Sequence, residues 1–367
     1  MARAHALEAQ GRHIIHMEIG EPDFTAPQPV LDAAARAMRD GLTSYTAALG
    51  LPGLREAIAR HYLERFGIAI SPGRIAVTAG ASGGLLLAFA LLVDPGNEVL
   101  VPDPGYPGYR HFVRAFEGRA VPVPVSARTA FQPSRDQVAA AWSENCIGLI
   151  LGSPSNPTGT LIDQAELAAI AGFVGSRGAT LLVDEIYQGL SYSGSPSTAL
   201  SLPGNLLVVN SFSKYFCMTG WRLGWVVLPE SLVRPFEKLA QHLFICPSAI
   251  AQHAALAAFR PESMAVFEQR RAEFRRRRDL LVPSLESIGF AVPAHPEGAF
   301  YVYADCTRFG GDARRLSLDL LERAGIAVTP GADFGANDTA RYIRFAYTRS
   351  YPDLEEGMAR LRAACSN

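Results

Sequence analysis

Between about residues 50 and 260, short and wholly apolar runs alternate with stretches of helical periodicity. The apolar runs cover residues 74–78, 98–102, 147–151, 180–184 and 206–210, and helical patterns cover 84–93, 108–116 and 164–174. Apolar runs of this kind between helices are typical of a mostly parallel sheet covered by helices on both faces. We therefore predict an α/β fold with a large domain over residues 40–265. Functional residues should lie in loops beyond the carboxyl ends of its strands.

The pattern changes after residue 260. A long charged helix is predicted over about 261–286, followed by strand-like residues 300–303, a helix over 315–324, strand-like residues 341–347 and a terminal helix. We expect a smaller α+β domain formed by residues 266–367 together with residues 1–39. The basic run 275–278 is interpreted as a solvated helix face. Residues 1–10 have the pattern of an amphipathic helix without a capping start, so we expect a shortened N-terminus.

Composition excludes several classes of function. A chain of 367 residues exceeds one ordinary core, which favours two domains. The longest apolar stretch, 85–93, is shorter than the roughly 20 residues of a membrane-spanning helix, and no signal-peptide pattern opens the chain. The net charge of −1 favours neither nucleic acid nor an acidic membrane as partner. The five cysteines are scattered and form no Cys-x-x-Cys pair. We therefore expect reduced thiols in a cytoplasmic protein, and neither a disulfide framework nor a metal site.

One loop carries a candidate for covalent chemistry. The apolar run 206–210 leads into Ser211-Phe212-Ser213-Lys214, and Arg222 follows eight residues after the lysine. A buried lysine amine can form a Schiff base with an aldehyde cofactor, and an arginine fork suits a phosphate. A surface lysine in a turn is the alternative for this motif alone.

Two further segments could serve the same cofactor. Residues 78–84, Thr-Ala-Gly-Ala-Ser-Gly-Gly, lie between a strand and a helix, so amides around Ala81, Ser82 and Gly83 could grip an anion. Asp184 ends a wholly apolar strand, where a carboxylate is costly unless it has a cationic partner. A generic strand–helix turn and a capping aspartate are the corresponding structural alternatives.

These segments, together with the motifs Ser153-Pro-Ser-Asn-Pro-Thr-Gly159 and Asp184-Glu-Ile-Tyr187, resemble the fold-type I pyridoxal-phosphate aminotransferases, the class I and II aminotransferase family. The resemblance runs in order from Ile19 to Tyr347. It implies that pyridoxal phosphate is bound at Lys214, with Asp184 on the ring nitrogen. It also implies that Asn156 and Tyr187 contact the phenolic oxygen, and that the bond from Asn156 to the following proline is cis.

The resemblance assigns the remaining contacts. Tyr106 would stack on the pyridine ring, and Ser211, Ser213 and Arg222 would complete the phosphate site. Arg344 would bind the substrate carboxylate, and Gly20 lies in the segment that closes over the substrate. Tyr45 would reach the phosphate of a neighbouring subunit, which implies a homodimer with shared active sites.

The expected activity is ping-pong transamination between an L-amino acid and a 2-oxo acid. Ser82 occupies the position where some aspartate-preferring relatives carry a lysine, so we expect a neutral or aromatic amino donor. Two alternatives stay open. The core motifs also suit a C–S β-lyase of the same fold, and more remotely a regulatory domain without enzymatic activity, although the sequence shows no basic recognition helix.

Overall fold

The computed structural model describes residues 1–194 and 196–366. The strands, in chain order, are β1 (Ile15–His16), β2 (Ile75–Thr78), β3 (Glu98–Asp103), β4 (Arg119–Pro124), β5 (Cys146–Gly152), β6 (Thr180–Asp184), β7 (Leu206–Ser211), β8 (Gly224–Val227), β9 (Tyr301–Asp305), β10 (Ile326–Ala327), β11 (Thr329–Pro330) and β12 (Tyr342–Ala346). The α-helices are α1 (Ala2–Glu8), α2 (Gln28–Arg39), α3 (Pro52–Phe66), α4 (Gly80–Leu92), α5 (Gly108–Ala115), α6 (Arg135–Ala141), α7 (Gln164–Ser176), α8 (Glu230–Leu243), α9 (Ala249–Leu256), α10 (Pro261–Ile288), α11 (Ala313–Asp319) and α12 (Tyr351–Cys365).

A seven-stranded sheet with the order β2-β8-β7-β6-β5-β3-β4 forms the larger part of the structure. Strand β8 is antiparallel to both neighbours, and the other pairs are parallel. All five apolar runs predicted as strands lie in this sheet. Strands β4 and β8 were not predicted, because the first is half exposed and the second is only four residues long.

Successive residues of the central strands pack on opposite faces of the sheet. In β6, Leu181 and Val183 join a core with α3, α7 and α10, whereas Leu182 joins a core with α4, α5 and α8. Both faces are thus covered by helices, which explains why the strands are apolar throughout rather than alternating. The predicted α/β class is confirmed.

The smaller part contains two short sheets. One is antiparallel with the order β11-β12-β9, and the other pairs β1 with β10 in parallel. The 28-residue helix α10 packs against α12, β9 and α2, so it contacts both the C-terminal part and the N-terminal segment. The boundaries 40–265 and 1–39 with 266–367 stay a prediction. Within the described ranges, no helix combines the length and apolarity needed to cross a membrane.

The structure corrects the interpretation of the basic run 275–278, which lies on α10. Arg275 and Arg276 are exposed, as expected of a solvated face, but Arg277 and Arg278 are 3% and 7% exposed. Arg277 donates to both carboxylate oxygens of Asp23, at 2.7 and 3.0 Å, and lies between aromatic rings. The solvated-face interpretation was therefore wrong for half of the run, since its partner is 254 residues away in sequence.

Candidate active site

A cavity of about 530 Å³ lies beyond the carboxyl ends of the central strands. Eleven of the predicted site residues line it: Gly20, Ala81, Ser82, Tyr106, Asn156, Asp184, Tyr187, Ser213, Lys214, Arg222 and Arg344. They come from seven separate regions of the chain. The fold therefore brings together residues that the sequence singled out by their chemistry.

Lys214 lies in the loop after β7 and is largely buried. Its Nζ donates a hydrogen bond of 2.5 Å to the carbonyl oxygen of Gly20. Burial lowers the pKa of Lys214 to about 8, because a charged amine loses water there. A substantial fraction of the amine is therefore neutral near physiological pH, as a nucleophile or base requires.

Asp184 ends β6 and is 5% exposed. One carboxylate oxygen accepts from the Tyr109 hydroxyl at 2.9 Å, and the other accepts from the amide of Ile186 at 3.1 Å. Burial raises the pKa of Asp184 to about 6. Across residues 1–194 and 196–366, no lysine, arginine or histidine nitrogen lies within 4.0 Å of it. The cationic partner expected for Asp184 is thus not a side chain, and the carboxylate faces the cavity instead.

An anion-binding corner lies at the N-terminus of α4. Gly80 has φ of +72°, and a Cβ there would lie 2.5 Å from Nη2 of Arg222, so only glycine leaves room for the guanidinium. Arg222 itself has φ of +52° and donates from Nη1 to the carbonyl of Thr219 at 2.9 Å. The free amides of the helix start and this guanidinium both favour a phosphate.

Arg344, in β12, also lines the cavity and is 7% exposed. Its Nη1 donates to Oδ1 of Asn156 at 2.9 Å, and its Nη2 donates to the carbonyl of Glu18 at 2.5 Å. The Nε is buried without a partner among the described residues. A guanidinium held by protein acceptors, with one donor still unpartnered, suits the binding of a carboxylate.

Two aromatic residues complete the predicted set. The hydroxyl of Tyr187 is 2.8 Å from that of Tyr301, and burial raises the pKa of Tyr187 well above its usual value. Tyr106 is 37% exposed at the cavity wall, with its ring nearly perpendicular to that of Tyr109 at 5.2 Å. The bond between Asn156 and Pro157 is cis, as expected.

Three predicted residues do not line the cavity. Tyr45 is 80% exposed on the surface. Gly83 faces Phe244 from within α4. The Ser211 hydroxyl contacts Ser213 at 2.9 Å and so supports the site from behind. The functional roles of these three residues stay predictions.

Sequence reasoning missed nine lining residues: Ile19, Glu21, Leu85, Tyr109, Pro154, Ile186, Thr219, Gly220 and Tyr301. Tyr109 and Tyr301 matter most, because they contact Asp184 and Tyr187. Tyr109 lies three residues after Tyr106 and could have been found as a second tyrosine near the predicted stacking residue. Tyr301 belongs to an apolar strand, so its hydroxyl was the only available signal.

These residues fit pyridoxal phosphate. The fit rests on a buried carboxylate without a protein cation, a glycine-lined corner beside an arginine, and a buried lysine between them. Lys214 would hold the aldehyde, Asp184 the ring nitrogen, and the α4 N-terminus with Ser213 and Arg222 the phosphate.

Comparison with known proteins agrees with this reading. Residues 12–361 match the family Aminotransferase class I and II. A valine–pyruvate aminotransferase of Mycobacterium tuberculosis is 41% identical over 363 residues, which is 97% of this chain and 92% of that protein. A probable aspartate/prephenate aminotransferase of Aquifex aeolicus is 37% identical over 373 residues, covering 99% and 94% of the two chains.

The fold is equally similar to solved structures. The crystal structure of an aminotransferase from Mycobacterium tuberculosis superimposes with a TM-score of 0.95 at 39% identity, covering 99% of this chain and 94% of that one.

Proposed function

We propose that this chain, which belongs to the class I and II aminotransferase family, uses pyridoxal phosphate to move an amino group between an L-amino acid and a 2-oxo acid. Members of the family depend on this cofactor. The observation that carries the proposal is the enclosure of Lys214, Asp184, Arg222 and Arg344 in one cavity. Together they provide a nucleophilic amine, a buried carboxylate, an anion-binding corner and a second guanidinium.

When bound, the cofactor supplies an aldehyde that condenses with amines and a ring that withdraws electrons from the substrate α-carbon. Arg344 binds the substrate carboxylate and orients the α-carbon hydrogen towards Lys214. The neutral amine of Lys214 accepts that proton as general base and returns it two atoms further along, beyond the amino nitrogen, which completes a 1,3 proton shift. Asp184 keeps a proton at the ring nitrogen, which requires that its own carboxyl be ionised.

We further propose a neutral or aromatic amino donor. The cationic residues lining the cavity, within the described part of the chain, are Lys214, Arg222 and Arg344, and each already has a role. Ser82, at the phosphate corner, carries no charge for a second carboxylate. The printed names of relatives do not decide the matter, since one is a valine–pyruvate and another an aspartate/prephenate enzyme.

We also propose a homodimer. Tyr45 is exposed and outside its own cavity, and Met38, Leu42 and Leu243 are exposed apolar side chains. Burial of exposed apolar side chains favours an interface, and Tyr45 would then reach the neighbouring phosphate site. All five cysteines are free thiols, which supports the proposed cytoplasmic location.

The test is an absorbance spectrum of the purified protein, recorded before and after adding single amino acids. A visible band that converts to the pyridoxamine form with L-valine or L-phenylalanine would support transamination and identify the donor. A persistent band with release of pyruvate and ammonia from a cysteine conjugate would favour the C–S β-lyase. No band after adding pyridoxal phosphate would overturn the proposal.

A further inference from the structure

The guanidinium of Arg344 lies over two aromatic rings. Its Cζ is 4.3 Å from the ring centroid of Tyr301 and 4.9 Å from that of Phe334. Both rings are buried, at 1% and 4% exposure. Tyr301 lines the cavity, whereas Phe334 does not. Each ring face attracts the guanidinium and keeps water from the surface that it covers, which leaves the edge of the planar group for hydrogen bonds.

Phe334 is held in place by the large sheet. Its carbonyl accepts from the amide of Gly105 at 3.0 Å. The loop is held a second time just after Phe334. The amides of Ala336 and Asn337 donate to the carboxylate of Asp103, at the end of β3, at 3.0 and 3.2 Å. Asp103 and Gly105 belong to the turn that also carries Tyr106. A connection therefore runs from this turn, through the loop of Phe334, to Arg344.

The hydrogen bonds of Arg344 do not by themselves fix the orientation of its guanidinium plane, which therefore depends on the rings of Tyr301 and Phe334. Asn156, Glu18 and Thr329 accept three of its N–H groups along the guanidinium edge. These bonds fix where the edge lies but resist tilting of the plane poorly, because each is a single contact. The rings supply the missing restraint. A guanidinium that is already held in its binding orientation loses less conformational entropy when a carboxylate binds, so affinity is higher.

We propose that Phe334 and Asp103 are positioning residues for substrate carboxylate binding, with Phe334 seating the Arg344 guanidinium and Asp103 anchoring the loop of Phe334. This inference rests on the proposed function, in which Arg344 binds that carboxylate. Neither residue touches the substrate. Their effect should therefore fall on affinity for the carboxylate and not on the chemical step.

The test measures binding of two probes to the cofactor-loaded enzyme by calorimetry. Isovalerate is valine without its amino group, and isovaleramide is its uncharged counterpart. Phe334→Leu should weaken isovalerate binding about tenfold, the size of one buried cation–π contact, and leave isovaleramide within about twofold. Asp103→Asn, which keeps the side-chain size but loses its charge, should weaken isovalerate about threefold.

Phe309→Leu is the matched control. Phe309 packs on Phe290 at 4.6 Å and belongs to the same part of the fold, and its replacement should leave isovalerate affinity within about twofold. The inference would be overturned if Phe334→Leu bound isovalerate as tightly as wild type does. It would also be overturned if the variant lost the same affinity for isovalerate and for isovaleramide. Arg344→Ala distinguishes failure of this inference from failure of the proposed function. If it binds isovalerate as wild type does, or if wild type does not bind it, the proposed carboxylate site itself is wrong.

Discussion

The Nζ of Lys214 donates a 2.5 Å hydrogen bond to the carbonyl oxygen of Gly20. Two residues before Gly20, the carbonyl of Glu18 accepts from Arg344 at the same distance. One short N-terminal segment therefore contacts both the amine and the guanidinium that line the cavity. Residues 18–20 thus link the proposed general base to the proposed binding group for the substrate carboxylate.

Lys214 can be tested against an internal control. The chain has two lysines, and the other, Lys238, is exposed on α8. We expect Lys214→Ala to lower the transamination rate by at least about 10²-fold, the usual effect of losing a general base, and to abolish borohydride trapping of pyridoxal phosphate. Lys238→Ala should retain the wild-type transamination rate and the borohydride trapping. Mass spectrometry that found the reduced cofactor on Lys238 in the wild type would contradict the assignment.

The phosphate corner predicts an effect at Gly80. Gly80→Ala places a methyl group 2.5 Å from Arg222 and forces alanine into a left-handed conformation. We expect the cofactor dissociation constant to rise about 10- to 100-fold, the range for a lost charge-assisted hydrogen bond. Fluorescence titration of the apoprotein would measure it.

Gly172→Ala provides the comparison, since a Cβ at Gly172, within α7, meets nothing within 4 Å. It should leave cofactor affinity unchanged and not destabilise the helix. Equal cofactor affinity in the two variants would place the phosphate elsewhere.

Asp184 predicts a pH dependence of apoprotein stability. Its pKa is about 6 in the folded protein, against an ordinary value of 3.8, so folding favours the protonated form. The contribution of this group to stability is therefore present below about pH 4 and is lost as pH rises through about 6. Asp184→Asn removes this titration. Relative to wild type, the variant should gain roughly 3 kcal/mol between pH 4 and pH 7.

Urea unfolding at several pH values checks this expectation. Asp94→Asn, at an exposed carboxylate, should follow the wild-type pH profile. The stabilised Asp184→Asn apoprotein should also bind pyridoxal phosphate more weakly, because the charge facing the ring nitrogen is gone. A parallel pH profile for Asp184→Asn and wild type would show that the carboxyl is not desolvated as described.

The buried arginine of α10 predicts a stability effect. Arg277→Gln leaves Asp23 without its bidentate partner. Because Arg277 is buried but Asp23 is partly exposed, we expect a loss of about 1.5–3 kcal/mol, the range for hydrogen bonds to charged groups. Arg275, two residues earlier, is 59% exposed in its side chain, so Arg275→Gln should change the free energy of unfolding by less than about 0.5 kcal/mol. If chemical denaturation gave both variants the same small loss, the ion pair would contribute nothing to stability.

The sequence was most informative where burial is uniform. Strand β6 was predicted at its observed bounds, because a strand buried on both faces is apolar at every position. Strand β4 was missed, since its half-exposed edge position allows arginine and two prolines. Arg277 was misread for a related reason. A run of four arginines gives no indication of which one meets a carboxylate 254 residues away.

Site residues were predictable where the chemistry requires a particular side chain. Lys214 and Asp184 could be proposed because a buried amine or carboxylate is costly without a role, whereas the role of Arg344 followed from the family resemblance. Backbone contacts carry no such signal, and the carbonyl of Glu18 could not be anticipated. Phe334 likewise looks like any core aromatic until its distance from a guanidinium is known.

Strand β8 runs against its neighbours, and this reversal shapes how the cofactor site can form. Ser211 pairs with Gly224, so β7 and β8 make a hairpin whose 12-residue loop, 212–223, contains both Lys214 and Arg222. Lys214 and Arg222 are thus brought together by one connection of low sequence separation, a kind of contact that is associated with fast folding. Arg344 lies 130 positions beyond Lys214 and enters the cavity only with β12. Under the proposed roles, a growing chain therefore contains the whole loop that holds the cofactor before it contains the residue that binds the substrate carboxylate.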